Sequence, residues 1–245
     1  LLYEKIGQDT LALAAWERLH AAFIANEASG IIPDAESCVH RAQLLIKQNK
    51  ATAALEALRG VPLTEKSGGQ GREALKLRAK LAAQAGLWEE FRELMTKAVE
   101  LKAIDAITHL TALCREHSRA AEGLNFLTQA ERTVKDDADR FRLRLELLRL
   151  LADDPAWSPD RGRAQIAALF RVRNRSRETL TQLVEWVSTE AESQHRAAWL
   201  PILRTETRAG TDKPLAALAL SAFAKDAPAS MADDLARGWQ SVIDS

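Results

Sequence analysis

Apolar residues recur along this chain at intervals of three and four, the spacing that places side chains on one face of an α-helix. In "AGLWEEFRELMTKAVEL" (85–101), Phe91, Met95 and Ala98 make such a stripe, with charged residues filling most positions between them. The preceding "REALKLRAKLAAQA" carries a matching stripe of Leu75, Ala79 and Ala82. Gly86 lies between the two stretches, where a glycine lets the backbone enter the left-handed region that closes one helix and opens a tight turn. The pattern predicts two helices folded against each other as a hairpin.

The pattern repeats. Counted from Gly86, the second stripe lies at offsets of 5, 9 and 12 residues. At the same offsets Gly7 is followed by Ala12, Trp16 and Leu19, Asn49 by Ala54, Leu58 and Val61, and Ser118 by Gly123, Leu127 and Ala130. Stripes also precede the turns: Cys38, Ala42 and Leu45 before Asn49, and Ile107, Leu110, Thr111 and Cys114 before Ser118. The four turn residues are small or tolerate the left-handed conformation. They are separated by 42, 37 and 32 positions, with "PLTEKSGGQG" inserted between the second and third. Further on, "DADRFRLRLELLRLLADD" predicts a helix that "DDPAWSPDRG" ends through Pro155 and Pro159. Helices follow over about 162–172, 177–190, 195–209, 214–225 and 229–243, four of them with cap-like starts. Thr211, Ala216, Leu220 and Phe223 repeat the offsets once more. Period-2 alternation of β-branched residues is scarce, so the expected fold class is all-α.

These hairpins resemble tetratricopeptide repeats, whose unit of about 34 residues is a helix-turn-helix. In that family, small residues let paired helices approach and a large residue fills the gap between them. Ala12 with Trp16, Ala54 with Leu58, and Gly123 with Leu127 follow that logic. Phe91 departs from it, standing where the family prefers alanine, and marks a place where regular packing is expected to loosen. The resemblance covers residues 1–135 and implies a right-handed superhelix, an α-solenoid in which stacked pairs share one core. Residues 136–245 are expected to continue the helical repeat or cap it. "LLYEKIG" reads as the end of a helix, so the first repeat is expected to begin upstream, in a longer protein.

Composition narrows the function. Hydrophobic residues make up 47% and charged residues 28% of the 245, ordinary values for a chain that buries a core. The 34 basic and 34 acidic residues balance, which argues against wholesale nucleic-acid binding. No apolar run approaches the ~20 residues of a membrane-spanning helix. Cys38 and Cys114 have no zinc-ligand spacing and lie on apolar helix faces. His109, Cys114 and His117 are grouped, yet the two histidines are eight apart, whereas metal pairs on a helix are three or four apart. "SGGQG" lacks the strand-to-helix context of a phosphate cradle and reads as a flexible linker. Acidic pairs such as Glu89/Glu90, Asp136/Asp137, Asp153/Asp154 and Asp233/Asp234 diverge by about 100° on a helix and mostly suit helix starts. Trp157 sits in a proline-bounded loop and reads as folding back over a helix pair, with an exposed anchor the alternative. No residue pattern implies a cofactor, a metal or a catalytic constellation. The cytoplasm is the favoured compartment.

The expected function is therefore non-catalytic: a scaffold or adaptor region binding a peptide or helix of another protein. In the family, first helices line the concave groove. Glu36, Val39, Gln43 and Lys47, then Glu73, Lys76, Lys80 and Gln84, then Asp105, Thr108, Ala112 and Arg115 would point there. The resulting groove is of mixed polarity, and lacks the lysine and asparagine clamp with which some family members hold C-terminal carboxylates. The alternative uses the run from Arg161 to Arg177, which holds Arg161, Arg163, Arg171, Arg173, Arg175 and Arg177 without an acid. Arginines pair bidentately with carboxylate or phosphate, so an acidic partner or nucleic acid could dock there. The same run also suits a solvated helix end.

Overall fold

The computed structural model describes residues 2–25, 35–64, 68–172, 177–192, 196–209, 213–223, 232–236 and 240. Among these, every regular element is a helix and no strand occurs. Two compact units follow one another, Leu1–Leu113 and Cys114–Ser245, and the division falls inside a helix.

The first unit holds α1 (Leu2–Lys5), α2 (Asp9–Ala25), α3 (Ala35–Lys47), α4 (Ala51–Arg59), α5 (Gly68–Gln84), α6 (Trp88–Glu100) and most of α7 (Ile104–Glu116). Each of α1 to α5 packs against the next, and α3 also packs beside α5. The stripes read from the sequence form the core: Ala12, Trp16, Cys38, Ala42, Leu45, Ala54, Leu58, Leu75, Ala79, Met95 and Ala98 are all buried. The second unit carries α8 (Ala120–Thr133), α9 (Asp137–Ala152), α10 (Pro159–Phe170), α11 (Arg177–Glu192), α12 (Arg196–Ala209) and α13 (Lys213–Phe223), with residues 232–236 helical as well. Here α9 is covered by α8, α10 and α11, which explains why Phe141, Leu143, Leu145, Leu147 and Leu148 are all buried around its circumference. Ala216, Leu220 and Phe223 of the last offset series are buried too, while Thr211 lies outside the described residues.

One backbone device joins the helices. Gly7, Asn49, Gly86 and Ser118 all have positive φ, at 71°, 59°, 70° and 57°. Each donates its N–H three residues back, and the residue after it donates five residues back. At Gly86 these bonds are Gly86 N to Ala83 O at 3.1 Å and Leu87 N to Ala82 O at 2.8 Å. This is the Schellman closure of a helix C-terminus. The same Leu87 carbonyl then accepts the Phe91 N–H at 3.0 Å and opens the next helix. The residue at offset 5 thus makes the first four-residue bond of the new helix, which fixes the stripe that follows. Ala12, Ala54 and Gly123 bond to Gln8, Lys50 and Arg119 in the same way. Lys102, at φ 50°, makes an identical turn between α6 and α7, and its offsets fall on the buried Ile107, Thr111 and Cys114.

Four expectations need correction. Leu19, at the last offset after Gly7, is 41% exposed, unlike Val61, Ala98 and Ala130 at the equivalent places. Val39 is buried in the core and faces no groove. Phe91 does not loosen the packing: its ring is fully buried and meets Trp88 edge-to-face at 5.7 Å. The "SGGQG" segment is not all linker, because residues 68–71 form the first turn of α5.

Two glycines separate backbone strain from steric crowding. A Cβ on Gly86 would meet only Trp88 Nε1 at 4.0 Å, so Gly86→Ala should cost only the left-handed penalty, about 1–2 kcal/mol. A Cβ on Gly123 would lie 2.7 Å from Leu150 Cδ1 and 3.1 Å from Cys114 Cβ, so Gly123→Ala should cost about 1–3 kcal/mol through overpacking. Urea denaturation of both variants checks this, and Leu150→Ala should rescue part of the loss at Gly123 alone.

Candidate interaction surfaces

Among the groove candidates, α5 contributes a polar row. Lys76 is partly exposed, and Lys80 and Gln84 are exposed, as their four-residue spacing on one face requires. Lys76 Nζ lies 2.9 Å from Glu73 and 3.8 Å from Asp105 at the start of α7, and Arg72 also reaches Asp105 at 3.8 Å. These ion pairs put the outward rows of α5 and α7 next to each other. Lys47, at the end of α3, instead reaches across to Asp9 of α2 at 3.4 Å. Arg115 is in the second unit. It lines a cleft of about 670 Å³ with His117, Arg119, Glu122 and Asp153 at the opening of α8, where Arg119 pairs with Glu122.

A second charged cluster in the first unit carried no signal in the sequence. Glu90 of α6 accepts Arg78 Nε of α5 at 2.6 Å and Arg59 Nη2 of α4 at 2.6 Å. Arg59 also pairs with Glu56. The hydrogen bond from Arg59 holds the Glu90 carboxyl below its ordinary range, against a desolvation penalty, and Arg78 adds to the effect. Three helices are tied at one carboxylate. The residues are 31 and 12 positions from Glu90, so no local motif announces them.

The arginine run is dispersed by the fold of the second unit. Arg161 pairs with Asp154 at 2.8 Å. Ser158 caps α10 by accepting the Arg161 N–H at 3.3 Å, with Pro159 in the first turn, as the cap-like sequence implied. Arg163 and Arg171 act on Glu206 of α12, a buried carboxyl. Burial pushes Glu206 above the ordinary carboxylate range and the two arginines pull it back in part. Arg173 and Arg175 lie outside the described residues, as does the side chain of Arg177. Asp234 is fully buried and accepts Arg204 Nε at 2.8 Å and Arg208 Nη2 at 3.0 Å. Asp154 and Asp234 therefore anchor arginine side chains. Asp136 does cap α9, accepting from Ala138 N at 2.9 Å and Asp139 N at 3.0 Å.

Trp157 folds back, meeting Trp199 edge-to-face at 4.8 Å, and Trp199 meets Trp186 at 5.5 Å. Gly162 makes room for this: a Cβ there would lie 2.3 Å from Trp157 Cη2. Cys114 is buried, and burial pushes its thiol up to about 12, so it is inert as a nucleophile at neutral pH. Cys38 is buried beside His20, Sγ to Nδ1 3.9 Å. Among the described residues no three His, Cys, Asp or Glu side chains converge as metal ligands, and no helix is long and apolar enough to cross a membrane.

Two measurements follow from this geometry. Glu206 has a raised folded-state value, so its stabilising contribution is complete below the ordinary glutamate value of 4.5 and is lost as pH rises through the raised one. Glu206→Gln should match the parent near pH 4.5 and exceed its stability near pH 8, read by urea midpoints. Equal midpoints for the two proteins at both pH values would contradict the burial argument. Gly162→Ala should displace Trp157, shifting tryptophan emission and lowering stability by about 1–3 kcal/mol.

No protein-family model, curated protein or solved structure matches this chain.

Proposed function

We propose that this chain is a non-catalytic interaction scaffold, built from hairpins like those of tetratricopeptide repeats, that receives a peptide or helix of another protein along its first helices. The observation that carries the reading is the lateral arrangement of those helices. α3 packs beside α5, and Lys76 of α5 lies within ion-pair distance of Asp105 of α7. First helices that are direct neighbours offer a continuous outward face, where a ligand can meet side chains from successive hairpins at once. Lys76, Lys80 and Gln84 give that face positive and hydrogen-bonding groups on a rigid element. The run from Arg161 to Arg177 is the weaker choice for an acidic partner or nucleic acid, since Arg161 is held by Asp154 and Glu206 sits beside Arg163 and Arg171.

A random peptide library displayed on phage and selected on the intact chain tests this reading. Enriched peptides should bind in calorimetry, and Lys76→Glu with Lys80→Glu should weaken them by about tenfold or more, the range for charged groups at an interface. Circular dichroism checks that the double variant is folded. Failure to enrich any peptide, or binding indifferent to the double variant, removes the first-helix face as the binding surface.

A further inference from the structure

The turn between α5 and α6 carries features that turn geometry does not require. Leu87 follows the left-handed Gly86 and is 41% exposed. The equivalent residues after the other turns are Gln8, Lys50, Ala103 and Arg119, so a large aliphatic side chain is not needed to close the helix. Trp88 is beside it and partly exposed, its indole passing over Gly86. Together with Glu89, Glu93, Arg59 and Arg78 they line a cleft of about 510 Å³.

The charges there are uneven. Arg59 and Arg78 are balanced by Glu90 and Glu56, so those four sum to zero. Glu89 and Glu93 remain, both exposed; Glu56 lies outside the lining, so the five charged residues of the cleft itself sum to minus one. They are four residues apart on α6, so both carboxylates stand on one face and can address a single cation. Arg92 between them is turned back, its Nε donating to the Trp88 carbonyl at 3.2 Å. The Glu90 node fixes the wall behind, because it ties α4, α5 and α6 together. A fixed cleft with a partly exposed tryptophan and an exposed leucine inside a charged rim has the anatomy of an interface centre.

We propose that this cleft docks a basic, aliphatic segment of another protein. An arginine or lysine of that segment pairs with Glu89 and Glu93 and lies against the Trp88 ring, which favours cations over its face. A neighbouring aliphatic side chain covers Leu87. The site is distinct from the first-helix face, since Arg78 is two residues, roughly 200° of helix, away from both Lys76 and Lys80.

The test uses the whole chain labelled with nitrogen-15 and follows the Trp88 indole resonance, assigned through Trp88→Phe. The probes are the synthetic peptides acetyl-KLRKL-amide, acetyl-KGRKG-amide and acetyl-ELEEL-amide. The first should shift the resonance saturably, the second about tenfold more weakly for want of the aliphatic contact, and the third not at all. Glu89→Lys with Glu93→Lys should abolish the shift, whereas Lys76→Glu with Lys80→Glu should leave it intact, which separates this site from the first-helix reading. Raising ionic strength from about 0.01 M to 0.15 M should weaken binding as screening shortens from about 30 Å to 8 Å. A shift of equal size with the acidic peptide, the absence of any saturable shift, or binding retained by the Glu89/Glu93 variant overturns the proposal.

Discussion

The joints at Gly7, Asn49, Gly86, Lys102 and Ser118 all depend on a turn with no spare residue. In each turn one residue takes the left-handed conformation, and the next closes the old helix with its N–H while opening the new one with its carbonyl. No loop length is left over to adjust the angle between the helices. The residues that face each other across a hairpin are therefore fixed by counting. The closure satisfies two carbonyls of the finished helix, but the opening side is bare: Lys50, Leu87 and Arg119 make no side-chain cap. Stability is thus placed in the turn and in the buried stripes, and hardly at all in helix starts.

Charge supplies a second layer of order. Glu90 joins three helices through two arginines, and Arg144 of α9 reaches Glu131 of α8 and the Ala168 carbonyl of α10. These links run between helices, across 12 to 31 residues of sequence, where they constrain packing. The exposed Lys97–Glu100 pair, three residues apart on one helix, belongs to the class worth ~0.2–1 kcal/mol. Glu206 shows the opposing cost, since Arg163 of α10 and Arg171 just after it offset only part of the desolvation of its carboxyl.

Much of the fold was legible because the turn rule is local. Gly7, Asn49, Gly86 and Ser118 were identifiable from residue type, and the stripes around them by offset. Lys102 escaped because lysine is not a turn residue, although the apolar pattern after it obeys the same count. Leu19 and Val39 were misread because burial depends on which neighbour lies alongside, and a single helix does not encode that. The candidate surfaces were less legible. Arg59, Arg78 and Glu90 each look like ordinary surface charges until three helices bring them together. The arginine run looked coherent as a string, yet its partners Asp154 and Glu206 come from other stretches of chain. Trp157, by contrast, was readable as a fold-back residue from its proline-bounded loop.

The turn at Lys102 bears on how such a chain can change length. Gly86, Lys102 and Ser118 are each 16 positions apart, and the joint inside a hairpin is the same as the joint between hairpins. The smallest exchangeable unit is therefore one helix with its turn. Adding or deleting one such unit would preserve the joints on either side of it, but it would exchange the roles of first and second helix in the hairpins downstream. Two units together would restore them. Parity, more than length, is what an insertion in this region must respect.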